Sequence, residues 1–253
     1  MTVLRDTLLI FRRSMRLSLR QPVWVIFGVI QPLLYLALFG PLLKRVVSAQ
    51  GFPRGNAWQV FVPGLLVQLG LFGAAFVGFG LVAEIRSGVV ERMRVTPASR
   101  VALLLGRVMR DVVVLVVQGC LLIAAAFAFG LRAPASGIVL GLAIVALLGV
   151  AFSSASYAAA LILRSEDALA PLFNGLVVPL LLLSGILLPM SLAPAWLRYI
   201  SDANPLRYVV DGVRSLFLGH ISSSTTAWGL VATAGLAAAG ILLGSRTFQR
   251  ESG

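Results

Sequence analysis

The sequence predicts an all-α, polytopic membrane protein with six transmembrane helices, an N-terminal amphipathic helix at the membrane interface, and short external helices between spans five and six. Three observations carry that reading. Of 253 residues, 59% are hydrophobic and 12% charged, against roughly a quarter charged in soluble domains, and mean hydropathy is +0.97. The apolar residues fall in six long runs, and one spanning helix needs ~20 such residues. The 21 basic and 9 acidic residues give a net charge of +12, and the arginines gather in alternate connections, as at the cytoplasmic ends of membrane helices. A soluble globular domain, a disordered chain and a collagen-like fibre are excluded. No basic face interleaved with aromatics exists outside the apolar runs, so no nucleic-acid partner is expected. The chain reads as one transmembrane domain over 1–253.

The first element, residues 1–20, is not a span. At ~100° per residue, Leu4, Leu8, Phe11, Met15 and Leu19 share one arc, and Arg5, Arg12, Arg13, Arg16 and Arg20 cluster on the adjoining arc. Such a basic amphipathic helix suits the inner membrane surface. A signal peptide fits less well, because the following apolar run is too long and no Ala-x-Ala site follows. The six spans are placed at Pro22–Leu43, Gln59–Ala83, Val112–Leu131, Gly137–Leu163, Ala168–Pro189 and Ala227–Ser245. An even number puts both termini on one side. That side carries 14 arginines, in the amino-terminal segment, the second and fourth connections and the tail; the other carries 7 basic residues. Both termini are therefore expected in the cytoplasm.

Two connections exceed a turn. Segment 84–100 opens the cytoplasmic one. The external one, 190–226, holds Pro194, Trp196, Tyr199, Pro205 and Tyr208, which suit an interface. Within it Leu206, Val209, Val210, Val213, Leu216 and Phe217 repeat at helical spacing, with Asp211 placed to pair with Arg207 and Arg214. This predicts a short amphipathic helix lying at the outer surface. Prolines 32, 41, 63, 179 and 189 predict kinks. The run Val177–Pro194 is a candidate to dip and turn back, and irregular backbone at that depth needs protein around it.

Much chemistry is absent. His220 is the only histidine and Lys44 the only lysine, so a His-Glu-x-x-His zinc site, a His triad and a phosphate-binding P-loop are all missing. No catalytic residue, metal site or cofactor of its own is expected. Cys120, the only cysteine, lies in an apolar run and is expected to pack. The spans as delimited hold no charge away from their ends, which counts against a secondary transporter. Their polar residues are Gln31, Gln68, Gln118, Ser153, Ser154, Ser156, Tyr157, Asn174 and Ser184. Interhelical hydrogen bonding is the default role for each, but Gln31, Tyr35, Gln68, Asn174 and Ser184 are candidates to line a substrate path. The small residues of Gly70–Gly80 suit close helix packing.

The most informative stretch runs from Glu84 to Arg100: Glu-Ile-Arg-Ser-Gly-Val-Val-Glu-Arg-Met-Arg-Val-Thr-Pro-Ala-Ser-Arg. Glu84, Gly88 and Glu91 are spaced to share a helical face, Arg94 lies three residues beyond, and Thr96-Pro97 ends the helix. A short charged helix with a small-residue notch suits docking into a cleft on another protein.

This stretch resembles the motif between spans two and three in permeases of ABC transporters of the type-2 exporter class, especially the drug- and antibiotic-resistance export permeases. A second resemblance covers Leu183-Ser184-Gly185-Ile186-Leu187-Leu188-Pro189, Pro194-Ala195-Trp196-Leu197, Asn204-Pro205-Leu206-Arg207-Tyr208 and Asp211-Gly212-Val213-Arg214. It implies a bacterial plasma (inner) membrane protein that pairs with a second copy of itself in the lipid bilayer. Two copies of a separate ATP-binding subunit would serve the pair, with ATP and Mg on that partner. Glu84, Arg86, Gly88, Glu91, Arg92, Arg94, Thr96 and Pro97 would then form the coupling site. The cargo implied is a hydrophobic or amphiphilic compound, as in multidrug efflux. A lipid, polysaccharide or glycoconjugate exporter is the alternative within the family. A stand-alone secondary transporter lacks the expected charges, and an intramembrane enzyme the His and acid clusters.

Overall fold

The computed structural model describes residues 3–20, 22–46, 56–89, 99–187 and 189–250. Ten α-helices are defined among them: α1 (Val3–Arg20), α2 (Pro22–Val46), α3 (Ala57–Ala75), α4 (Val77–Arg86), α5 (Arg100–Ala128), α6 (Ala135–Leu163), α7 (Glu166–Leu182), α8 (Ala195–Asp202), α9 (Pro205–Phe217) and α10 (Ser224–Arg250). A single 3-10 turn, Met190–Leu192, precedes α8.

Among the described residues four stretches are long and apolar enough to cross a membrane: Ala57–Arg86, Val101–Ala128, Ala135–Leu163 and Ser224–Gln249. A fifth arises if α1 and the following Val25–Gly40 stretch, bent 66° from one another, count as one span. The α7 helix has 17 residues, about 25 Å at 1.5 Å per residue, short of a ~30 Å hydrocarbon core.

The α6 helix is the hub. It packs along α10, α3, α4 and α5, and its Ile144, Val145, Leu148, Tyr157 and Leu161 join the core. The predicted role of the small residues holds at several points. An added methyl at Gly70 would meet Val145 at 3.3 Å, at Gly73 Leu115 at 2.5 Å, and at Gly78 the Ser156 carbonyl at 2.7 Å, whereas Gly80 has open space. Gly78 N–H also donates to Ser156 Oγ at 2.9 Å. Ser156 Oγ in turn donates to the Ala75 carbonyl, where α3 gives way to α4.

Helix ends follow local chemistry. Asn56 caps α3: its side chain accepts from Trp58 N–H at 3.3 Å, and its own N–H donates to Gln59 Oε1 at 2.9 Å. Ser99 Oγ accepts from Ala102 N–H at 3.1 Å at the start of α5. Asn204 does the same for α9 and donates to the Leu180 carbonyl at 2.8 Å.

Several expectations are corrected. The third span begins as a helix at Arg100, about three turns before Val112, so Arg107, Arg110 and Asp111 lie inside it rather than in a loop. Cys120 is exposed on the outside of the bundle. The α9 helix does not lie on a surface: Leu206, Val209, Val210, Val213, Leu216 and Phe217 are all buried between α3, α6 and α10. Gly212 makes this possible, since its Cα position lets the backbone of α10 approach at Gly229.

Irregular backbone interrupts the Val177–Pro194 run, as its prolines predict. The chain leaves α7 at Leu182 and turns through Leu183–Leu187, with Gly185 at φ +74°. Ser184, Gly185 and Ile186 are buried, and the Ile186 carbonyl would sit 2.2 Å from a methyl at Gly64. Non-helical backbone is thus enclosed by protein.

Candidate functional site: the charged end of the bundle

Charged and polar groups at the end of the bundle formed by the C-terminus of α4 and the N-terminus of α5 are joined in pairs. Arg107 Nη2 donates to Glu84 Oε2 at 2.5 Å, with the Arg107 side chain 9% exposed and Glu84 36%. The bond crosses from α5 to α4. One turn deeper, Asp111 Oδ2 accepts from Tyr157 Oη of α6 at 2.6 Å, and Asp111 Oδ1 lies 3.1 Å from Arg110 Nε. Asp111 and Tyr157 are both buried. Arg86, at the last turn of α4, lies 3.6 Å from Glu166 at the first turn of α7. Each sign suits its helix end: a cation at a C-terminus and an anion at an N-terminus.

These contacts bind α4, α5, α6 and α7 into one charged end. A buried guanidinium is tolerated in such a site only while its carboxylate is present. Loss of either partner therefore loosens two helices together.

The segment between α4 and α5 begins differently from the sequence expectation. The α4 helix stops at Arg86, and Ser87 N–H donates to the Ala83 carbonyl at 3.0 Å. Gly88 takes φ +71°, and its N–H donates to Ile85 at 3.0 Å. This is a glycine helix stop. Gly88 therefore lies beyond the helix that carries Glu84, at a left-handed residue where the chain turns. Among the described residues no neighbour lies within 4 Å of a methyl built on Gly88, and its φ of +71° is a backbone conformation that favours glycine. Glu91, Arg92, Arg94, Thr96 and Pro97 fall outside the described residues.

The five candidate path residues separate into two sets. Gln31 and Tyr35 meet on α2, Nε2 to Oη at 3.4 Å, with Gln31 exposed, and Asn174 is exposed on α7. Gln68 and Ser184 are sealed inside the protomer, and Ser184 Oγ donates to its own Leu181 carbonyl at 2.6 Å. Gln118 acts as a tie between helices, donating to the Val25 carbonyl at 2.9 Å.

Arg214 is the residue whose role sequence spacing missed. Its Nε donates to the Val60 carbonyl at 2.9 Å, and its Nη2 donates to Gly185 at 2.6 Å and Ile186 at 3.2 Å. It joins α9, α3 and the turn after α7. Nη1 lies 3.5 Å from Asp211, the pairing that spacing did predict. Burial lowers its pKa to about 10, with the Asp211 charge opposing that fall, so it is cationic at neutral pH. Burial also raises the Asp211 carboxyl, against the pull of Arg214 and Arg207. Among the described residues no group of His, Cys, Asp and Glu could hold a metal ion.

The sequence matches known proteins. Residues 5–218 match the family described as ABC-2 type transporter. The chain is 26% identical over 253 residues to the daunorubicin resistance ABC transporter permease protein DrrB1 of Streptomyces coeruleorubidus, covering 99% of this chain and 88% of that one. It is 29% identical over 200 residues to the putative transport permease ycf38 of Cyanophora paradoxa, covering 78% and 69%. The ycf38 permease of Porphyra purpurea is 27% identical over 201 residues, with the same coverage. With an all-helical bundle, at least four membrane-length stretches and a family match over most of its length, the chain belongs to the ABC-2 type transporter family, as a transmembrane permease of the type-2 exporter class.

Proposed function

We propose that this permease is the membrane half of an ATP-driven exporter that moves a hydrophobic or amphiphilic compound out of a bacterial cell. The observation that carries the proposal is the bonded cluster Glu84–Arg107, Arg86–Glu166 and Asp111–Tyr157, which flanks both ends of the segment between α4 and α5. An outside force on that segment would meet helices already tied together. Hydrolysis of ATP with Mg belongs to a separate ATP-binding subunit, present in two copies beside a permease homodimer. The drug-resistance name of the Streptomyces relative supports the cargo class.

In this reading α2 and α7 complete six crossings, both termini are cytoplasmic, and α1 rests on the inner membrane surface with Leu4, Leu8 and Leu19 towards lipid. Those three side chains are exposed, and Gly106 of α5 packs against Ile10 on another side of α1. The coupling site comprises Glu84, Arg86, Gly88, Glu91, Arg92, Arg94, Thr96 and Pro97. The cargo path runs between protomers, along exposed Gln31 and Asn174 and half-buried Tyr35. Gln68 and Ser184 are buried within the protomer, away from that path.

The test is reconstitution with the ATP-binding subunit in proteoliposomes. Amphiphilic compounds, an anthracycline among them, should stimulate ATP hydrolysis and accumulate on the far side of the membrane. Glu91→Ala at matched membrane levels should reduce both. Transport without ATP, or ATP hydrolysis indifferent to the permease, would overturn the reading.

A further inference from the structure

At the opposite end of the bundle from Glu84, a cavity of about 290 Å3 opens between the Pro189–Ser191 turn, Arg198 of α8, and Arg207, Asp211 and Arg214 of α9. We propose that this cavity binds the phosphate of a phospholipid in the leaflet on that side.

Three features support it. The first is charge: three guanidiniums meet two nearby carboxylates, Asp211 and Asp202. A phosphodiester, which carries one negative charge at neutral pH, closes that balance. The second is preorganisation. Arg198 Nη2 is held by the Ser191 and Ala193 carbonyls at 3.0 and 3.3 Å. Arg207 Nη1 donates to the Arg198 carbonyl at 3.2 Å and to Asp202, and Arg214 is pinned on three carbonyls. Guanidiniums fixed beforehand lose less entropy on binding, and the N–H groups left over from these contacts, Arg214 Nη1 among them, can donate to phosphate oxygens. The third is depth. On α8, Trp196 is 66% and Tyr199 81% exposed, beside Arg198. Exposed Trp and Tyr settle at headgroup level, where phosphodiesters are the abundant anions. Pro189 and Met190 supply an apolar wall for the glycerol and upper acyl chain. A free phosphate would use the arginines but neither that wall nor the aromatic rim.

The proposal rests on α8 lying at a membrane surface, part of the reading above, and on nothing about ATP or cargo. Purified, delipidated full-length permease is examined by native mass spectrometry with phosphatidylglycerol, with diacylglycerol of the same chains, or with inorganic phosphate. Wild type should retain phosphatidylglycerol at least tenfold over diacylglycerol. Arg198→Gln and Arg207→Gln should each reduce retention about fivefold or more, and Arg198→Lys should keep part of it. Arg132→Gln, an exposed arginine on the same end outside the cavity, should leave it unchanged. Arg207→Gln also removes the partner of Asp202; should it fail to fold, Arg198→Gln carries the test, since Arg198 bonds only neighbouring carbonyls. Equal retention of the two lipids, full retention by Arg198→Gln, or retention of inorganic phosphate without lipid preference would overturn the proposal. A permease that fails to couple to ATP yet shows the Arg198-dependent preference would overturn the export reading and leave this one standing.

Discussion

Replacing Arg214 with a side chain that cannot donate would remove a donor from three carbonyl oxygens at once, those of Val60, Gly185 and Ile186. Each unmet buried acceptor costs about 1–3 kcal/mol, and relaxation recovers part, so Arg214→Met should destabilise the protein by roughly 2–5 kcal/mol. Arg214→Lys keeps the charge but not the fork, and should fall between the two. Thermal unfolding in detergent would order the three proteins. Glu84 poses a different question, because its partner Arg107 is almost fully buried. Glu84→Ala leaves that guanidinium uncompensated and should lower the unfolding midpoint. Replacing both members, Glu84→Leu with Arg107→Met, should restore much of the stability while permease-dependent stimulation of the ATP-binding subunit stays low. Stimulation returning with stability would remove the pair from force transmission. Spacing alone revealed the Asp211 pairing of Arg214, since both sit on one helix. It could not reveal carbonyls contributed by α3 and by the turn after α7. Asp111 escaped for a related reason: its partner Tyr157 lies on α6, and the apolar run that seemed to begin the span starts one residue later.

Helices in this bundle approach closely at several glycines, so glycine positions give a test of packing by element. Gly64→Ala would drive a methyl to 2.2 Å from the Ile186 carbonyl, and Gly240→Ala to 2.2 Å from that of Ala151. Backbone cannot yield as a side chain can, and each change should cost at least about 1–3 kcal/mol. Gly80→Ala meets open space and should be neutral or stabilise α4 by up to about 1 kcal/mol. Detergent melting curves would separate the two groups. Gly88→Leu should disturb the start of the segment after α4, because φ +71° disfavours an L side chain. A fully folded variant with normal ATP stimulation would show that the turn can be remade. Long apolar runs were legible as helices because nothing else satisfies backbone groups in lipid. Two features were not. The charged first turns of α5 look like loop in a hydropathy profile, and the buried position of α9 depends on a glycine contact with α10.

The distribution of arginine over the whole molecule gives an orientation that labelling can examine. In a Cys120→Ala background, Ser223→Cys should react with an impermeant thiol reagent in sealed right-side-out cells, and Ser99→Cys should react only after permeabilisation. The reverse pattern would invert the topology and place the Arg198 cavity in the cytoplasm. The charged end also sets a scale for movement. The α5 helix is 29 residues long, about 43 Å end to end at 1.5 Å per residue. It is fastened near its start to α4 through Glu84 and to α6 through Asp111. A rotation of about 8° about those contacts would carry Ala128, 17 to 21 residues further on, sideways by roughly 4 Å at the same rise per residue. That distance is comparable to the separation of two touching side chains. A few degrees of rocking at the arginine-rich end is therefore enough to part neighbouring helices at the other, with every backbone hydrogen bond kept.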